Sequence, residues 1–192
     1  KDSCKRRDRE NISIFNGLSL NSKHSYFNKL KACINAAFEE HIIVVNPLRG
    51  VKGFKQDEVA REHLSWEEVV KLDATPCKSQ VLKNAFIFSC FTGLRKSDIE
   101  RLTWGEVREF DGFTRIVWKQ KKTGGQEYLD IPNQAVKYLG KPQDDPDELV
   151  FKGFLTGSYL SLELRRWMLA ASINKDITYH CSRHTFAVLM LN

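Results

Sequence analysis

Apolar residues recur every three or four positions from Ser22 to His41, at Tyr26/Phe27, Leu30, Cys33/Ile34 and Ala37/Phe38, with Ile42 beyond them. That period predicts an amphipathic helix of about five turns, with Lys23, Lys29 and Lys31 on or near its polar side. The helix must end before Asn46-Pro47, because proline cannot continue a helix and pushes its predecessor toward extended backbone. Gly50, Gly53 and the polar run Lys55 to Glu58 read as a linker. One helix with irregular flanks buries too little to stand alone. Residues 1–50 are therefore expected to be part of a helical domain whose remainder lies outside them.

A different pattern follows the linker. Ser65-Trp66-Glu67-Glu68 predicts a capping box, with hydroxyl and carboxylate satisfying each other's backbone amides, and a short helix to about Leu72. Val81 to Phe91 is apolar on nearly every side, which predicts a buried helix stopped at Thr92-Gly93. Ser97-Asp98-Ile99-Glu100 reads as a second capping box, opening a helix through Trp104. The period then changes: Thr114 to Gln120 is rich in β-formers, Lys121 to Gly125 is a turn, and Gln126 to Ile131 is a returning strand. Helices resume at Asn133–Leu139, about Ser158–Ala171 and Ser182–Leu191. The fold class is mainly α with a small β-hairpin or sheet (α+β). It divides into residues 1–55, a partial helical domain and linker, and residues 56–192, a larger domain.

Charge sharpens this division. Residues 1–55 hold 11 Lys and Arg against 5 Asp and Glu, whereas residues 56–192 hold 19 of each. A basic segment joined to a balanced domain suits contact with a polyanion, of which nucleic acid is the commonest. No apolar run approaches the length of a membrane span, and the N-terminus Lys1-Asp2-Ser3-Cys4-Lys5-Arg6-Arg7 carries no secretion-type core. The five cysteines (Cys4, Cys33, Cys77, Cys90, Cys181) are scattered and form no C-x-x-C pair. Free thiols in a reducing compartment are expected rather than disulfides or zinc.

Three features carry candidate chemistry. Thr92-Gly93-Leu94-Arg95-Lys96-Ser97-Asp98 places an arginine in a tight turn with its guanidinium free to grip two phosphate oxygens. Lys119-Gln120-Lys121-Lys122-Thr123-Gly124-Gly125 is a hairpin tip able to push an ammonium into a groove. His180-Cys181-Ser182-Arg183-His184 puts His180 and Arg183, three apart, on one face at a helix start. Each is ordinary alone, as a solvated arginine, a lysine-rich turn or a capping histidine.

In this order, T-G-L-R-x-S-D, a K-T-G hairpin and H-x-x-R-H-T-F-A about 90 residues after the first motif, the chain resembles the tyrosine recombinase (phage integrase) family, and the integrases of mobile elements within it. The resemblance covers about residues 60–192 as catalytic domain. Residues 20–50 are similar to the last helix of the family's core-binding domain. It implies that Arg95 and Arg183 are the two catalytic arginines, Lys122 the hairpin lysine with Lys121 and Lys119 as alternates, and His180 the histidine of H-x-x-R. Asp98 and His184 take supporting roles, and Lys23, Lys29, Lys31, Lys119 and Lys121 face DNA.

Family members cut DNA by attack of a tyrosine on the scissile phosphate, leaving a 3′-phosphotyrosyl link that is later rejoined. Two guanidinium groups would offset charge on the non-bridging oxygens, an ammonium would protonate the departing oxygen, and an imidazole would take the tyrosine proton. The resemblance implies no metal and no other cofactor. It also implies double-stranded DNA at specific recombination sites as partner, a tetramer on paired sites in the complete protein, and a bacterial cytoplasmic or nucleoid location. The family's tyrosine follows H-x-x-R by some tens of residues. None of Tyr26, Tyr128, Tyr138, Tyr159 and Tyr179 stands there, so no nucleophile is expected among these residues and the catalytic domain is expected to be C-terminally incomplete. A non-catalytic DNA-binding regulator and a type IB topoisomerase are the competing readings. The retained Arg95, Lys122, His180 and Arg183 weigh against the first, and the core-binding-like helix weighs against the second.

Overall fold

The computed structural model describes residues 17–57, 61–119 (of Lys119 the backbone only) and 125–191. The chain divides into two compact units, Lys1–Ala60 and Arg61–Asn192.

The first unit is built on helix α1, Leu20–Glu39. It starts two residues before the expected Ser22, because the Ser19 hydroxyl caps it by accepting the Ser22 amide at 3.2 Å. At its other end His41 takes φ 59°, and the amides of His41 and Ile42 return to the carbonyls of Phe38 and Ala37 at 3.1 and 2.8 Å. This is a Schellman closure with a histidine where glycine is usual. The segment expected to be a free linker instead folds back along α1. Asn21 pairs with both the carbonyl and the amide of Asp57 at 3.3 and 2.9 Å. The His24 ring meets the Phe54 carbonyl at 2.7 Å, and Phe27 and Phe54 pack edge to face at 5.9 Å. Side-chain amides that satisfy backbone groups across this segment explain why its glycine-rich composition does not leave it loose. No residue of α1 is buried within the unit, and Tyr26, Leu30 and Phe38 remain exposed.

The second unit opens with α2, Trp66–Ala74, on the expected capping box: the Ser65 amide donates to Glu68 Oε2 at 2.7 Å and the Glu68 amide to Ser65 Oγ at 3.2 Å. Helix α3, Gln80–Thr92, is the centre of the core, with Leu82, Phe86, Ile87 and Phe88 fully buried. Phe86 makes edge contacts with Trp167 and Tyr179, and Phe88 packs on Phe151. Gly93 ends α3 in the left-handed region, at φ 65°. The four-residue α4, Lys96–Ile99, follows.

The second expected capping box does not form. Arg95, not Ser97, holds the cap position, and Glu100 is taken by Lys96 at 2.9 Å. The reciprocal pattern falls on Thr103 instead, whose amide donates to Glu106 Oε2 at 3.1 Å and opens a single 3₁₀ turn, Trp104–Glu106. The expected helix through Trp104 is therefore two short pieces.

The β element is a small three-stranded antiparallel sheet, the expected hairpin of two strands with one more before it. It has β1 at Val107–Phe110, β2 at Phe113–Lys119 and β3 at Gln126–Ile131, in that order across the sheet. Phe110 pairs with Phe113 across Asp111-Gly112. Ile116 and Ile131 point into the core. A short α5, Asn133–Val136, stops three residues before the expected Leu139. Helices α6, Gly157–Ala170, and α7, Cys181–Leu191, complete the unit within a residue of the expected starts. Among the described residues no helix is long and apolar enough to cross a membrane. Of the cysteines, Cys33, Cys77, Cys90 and Cys181 are free thiols, and Cys4 lies outside the described residues.

Candidate active site

Two sequence motifs separated by most of the second unit meet at one point. Gly93 accepts a hydrogen bond from Arg183 Nη1 through its carbonyl, and its Cα faces the Phe186 ring on α7 so closely that a Cβ there would lie 2.4 Å from Cδ1. Positive φ, the missing Cβ and a carbonyl that accepts from Arg183 are all needed of this residue, and only glycine supplies the first two without strain. The chain then turns through buried Leu94 to Arg95.

Helix α7 is set against α3 by Tyr179. Its hydroxyl donates to the Ala85 carbonyl at 2.9 Å and meets Ser89 Oγ at 2.9 Å. Burial pushes this phenol well above its ordinary range. The Ser182 hydroxyl donates to the Tyr179 carbonyl at 2.7 Å, which fixes the turn that presents His180. Thr185, fully buried, accepts the Leu64 amide at 2.9 Å, so the segment before α2 is fastened to the same helix.

The outcome is a cluster of cations with few anions. Arg95 and Arg183 are both half-buried. Burial and then the neighbouring charge of Arg95 pull the Arg183 guanidinium below its ordinary range, with Asp98 opposing. His180 is exposed, and its ring lies 4.9 Å from that of half-buried His184, edge to face. Burial, followed by the charges of His180, Arg61, Arg183 and His63, holds His184 below the usual imidazole range. That shift favours the neutral form of this ring beside the arginines. Asp98 is buried, and its ion pair is with Arg101, Nη2 to Oδ1 at 3.8 Å. Such a group of guanidinium and imidazole donors, converging from a turn and a helix start, can bind the oxygens of a phosphate.

The structure thus brings together Arg95, Asp98, His180, Arg183 and His184. Lys121 and Lys122 lie outside the described residues, and Lys119 is described only as the backbone end of β2. Lys23, Lys29 and Lys31 belong to the other unit, where Lys23 is half-buried and the other two exposed. At 100° per residue, Lys29 and Lys31 point roughly 160° apart, so the three do not form one stripe, and Lys29 lies 5.6 Å from the Tyr26 ring. Sequence reading missed Thr185 and the segment 61–64. The only signal was the T of H-x-x-R-H-T, and its partner Leu64 is 121 positions away.

Comparison with known proteins agrees with this geometry. Residues 62–192 match the Phage integrase family, and residues 8–56 match the Phage integrase SAM-like domain. The chain is 22% identical over 195 residues to tyrosine recombinase XerD of Staphylococcus haemolyticus, covering 93% of this chain and 65% of the relative. It is 28% identical over 92 residues to the putative defective protein IntQ of Escherichia coli K12, covering 47% of this chain and 23% of the relative. The chain thus spans less than two thirds of each of these relatives. Its fold is similar to that of the XerH site-specific recombinase, solved on palindromic difH substrate in a post-cleavage complex. The TM-score is 0.67 at 22% identity, covering 94% of this chain and 59% of the other. With its family match spanning the whole second unit from residue 62, and with T-G-L-R and H-x-x-R joined at Gly93, the chain belongs to the phage integrase family.

Proposed function

We propose that this chain is the DNA-handling and phosphate-activating part of a site-specific tyrosine recombinase, which cuts and rejoins duplex DNA to integrate or excise a mobile element. The observation that carries the reading is the pair of guanidinium groups, Arg95 on its turn and Arg183 tied to the Gly93 carbonyl, beside His180. One of Arg183's five N–H donors is spent on that carbonyl, which orients the remainder toward an anion. In this reading the two arginines take the non-bridging oxygens of the scissile phosphate as charge builds in the transition state. His180 accepts the proton of the attacking tyrosine, and Lys122 protonates the departing 5′-oxygen, with Lys121 and Lys119 as alternates. Asp98 and His184 position the arginines. The first unit is the core-binding part, with Lys23, Lys29 and Lys31 toward DNA, and assembly is a tetramer on paired sites.

The attacking tyrosine is assigned to none of the five present. The Tyr179 hydroxyl is consumed in the core. Tyr138 is buried, and its phenol is pushed up to about 12, chiefly by burial. Tyr128 and Tyr159 are exposed at β3 and at the start of α6, and Tyr26 sits on α1. The test has two parts. These 192 residues bind duplex DNA with an affinity that falls steeply between about 50 and 200 mM salt, and they form no covalent DNA adduct; an adduct on any of the five tyrosines would overturn the assignment. In the polypeptide that carries the attacking tyrosine, Arg95→Ala and Arg183→Ala each lower strand cleavage by about 10²–10³-fold. Unchanged cleavage in either variant would remove that arginine from the site.

A further inference from the structure

The strap leading into α2 is held more firmly than a passage between elements requires. Three successive residues each give a backbone group to it. The His63 carbonyl accepts from Lys175 Nζ at 3.0 Å, the Leu64 amide donates to Thr185 Oγ1 at 2.9 Å, and the Ser65 amide donates to Glu68 Oε2 at 2.7 Å. Lys175 Nζ also donates to Glu68 Oε2 at 2.6 Å. One carboxylate oxygen therefore fixes both the Ser65 amide and the lysine that holds the His63 carbonyl. Thr185 lies two residues beyond Arg183 on α7, so the strap is locked to the arginine-bearing helix.

The core does not explain the side chains this strap displays. Arg61 is exposed and His63 half-buried. Among the described residues neither lies within ion-pair distance of a carboxylate. The His63 ring braces the strap through Nδ1, 3.3 Å from the Arg61 carbonyl. The charges of both residues nonetheless reach the site, since they are among those acting on His184. Holding the Arg61 guanidinium without a carboxylate partner among the described residues, on a strap tied to α7 through Leu64 and Thr185, is unfavourable for the free fold and favourable once an anion is present.

We propose that Arg61 and His63 form a second phosphate grip beside the Arg95–Arg183 pair, contacting a DNA backbone phosphate adjacent to the one the arginine pair takes. The proposal rests on the DNA reading above and adds a contact that positions the duplex without reading its sequence. The test is fluorescence anisotropy of the 192-residue chain with a labelled duplex of mixed sequence, titrated from about 50 to 200 mM NaCl. Arg61→Gln reduces the slope of log affinity against log salt by about 0.9, and the R61Q/H63Q double variant by at least as much. Both weaken binding alike on unrelated sequences, and Arg61→Lys retains the slope. Lys152→Gln removes an equal charge from an exposed lysine paired with Glu148 at 2.9 Å and leaves the slope unchanged. A steep wild-type slope that R61Q and R61Q/H63Q leave intact would overturn the grip while the DNA reading stands. The same loss in K152Q as in R61Q would also overturn it, by showing that net charge alone is at work. A flat wild-type response would remove the DNA reading and the grip with it. Circular dichroism checks that the exposed Arg61 is exchanged without loss of fold.

Discussion

Gly93→Ala tests the junction on which the site depends. The new methyl group would lie 2.4, 2.9 and 3.0 Å from Cδ1, Cε1 and Cγ of Phe186, well inside contact distance, so the ring or helix α7 has to shift. Alanine must also hold φ near 65°. The left-handed conformation costs about 1–2 kcal/mol for a residue with a Cβ, and forced repacking about 1–3 kcal/mol. The variant should therefore lose about 2–5 kcal/mol of stability. Urea unfolding of wild type, G93A, F186A and the double variant separates the two contributions. In the F186A background the ring is gone, and G93A should cost only the conformational part, about 1–2 kcal/mol. The difference between backgrounds is a coupling of about 1–3 kcal/mol, read as a change of midpoint at constant m. Equal costs in both backgrounds, within about 0.5 kcal/mol, would refute the Phe186 contact as the constraint. A total cost below about 0.5 kcal/mol would refute the whole account of Gly93.

Two further perturbations follow from the bonds that hold the strap and α2. Thr185→Val keeps shape and volume but leaves the Leu64 amide without its acceptor, so unfolding experiments should show a loss of about 1–3 kcal/mol. Thr185→Ser should recover most of it, and equal stability of the valine and serine variants would refute the bond's role. Glu68→Gln concerns pH. Burial raises the Glu68 pKa, but hydrogen bonds from Lys175 and the Ser65 amide outweigh it and hold the carboxylate below its ordinary range. A depressed folded-state pKa means stability that is present above the unfolded value near 4.3 and is lost as pH falls through the folded one. Melting temperature against pH should show E68Q less stable than wild type at neutral pH, with the gap closing under acid; a gap constant from pH 7 to pH 3 would contradict this.

What could be read from the sequence was local. The Ser65 box, the all-apolar α3 and the Gly93 stop need only neighbouring residues, and each stands where expected. The second box failed because Lys96 offered Glu100 a partner at i,i+4, a competition that a four-residue pattern does not contain. Strand β1 was missed although Phe110-Asp111-Gly112-Phe113 holds an aspartate–glycine turn between paired aromatics. Its residues are exposed apart from half-buried Val107, so no alternation of apolar positions marked it. The return of residues 54–57 along α1 depends on polar side chains, Asn21 and His24, reaching backbone groups 36 and 30 positions away. The site was legible as residue types and order, because the two motifs are short. Its assembly was not, because the bonds that make it join Gly93 to Arg183 and Leu64 to Thr185 across 90 and 121 positions.

In the proposed reading, the partner that holds an arginine separates Arg115, which serves the fold, from Arg183, which is held for chemistry. Arg115 on β2 makes a two-pronged pair with Asp130 on β3, Nη2 to Oδ2 at 2.9 Å. That bond raises the guanidinium pKa and lowers the carboxylate's, so each charge is answered within the sheet. Arg183 is held by a backbone carbonyl instead. A carbonyl fixes direction without supplying a countercharge, whereas a carboxylate in its place would compete with any incoming phosphate. The same logic governs Asp98, which is near enough to oppose the depression of the Arg183 pKa while its ion pair lies with Arg101. The cost of leaving Arg183 unneutralised appears in its lowered pKa, caused first by burial and then by Arg95. A fold selected for stability alone would relieve that repulsion with an acid. In the recombinase reading, two guanidinium groups without a carboxylate partner among the described residues, one of them directed by the Gly93 carbonyl, are what a site for a dianionic-like phosphoryl transition state requires.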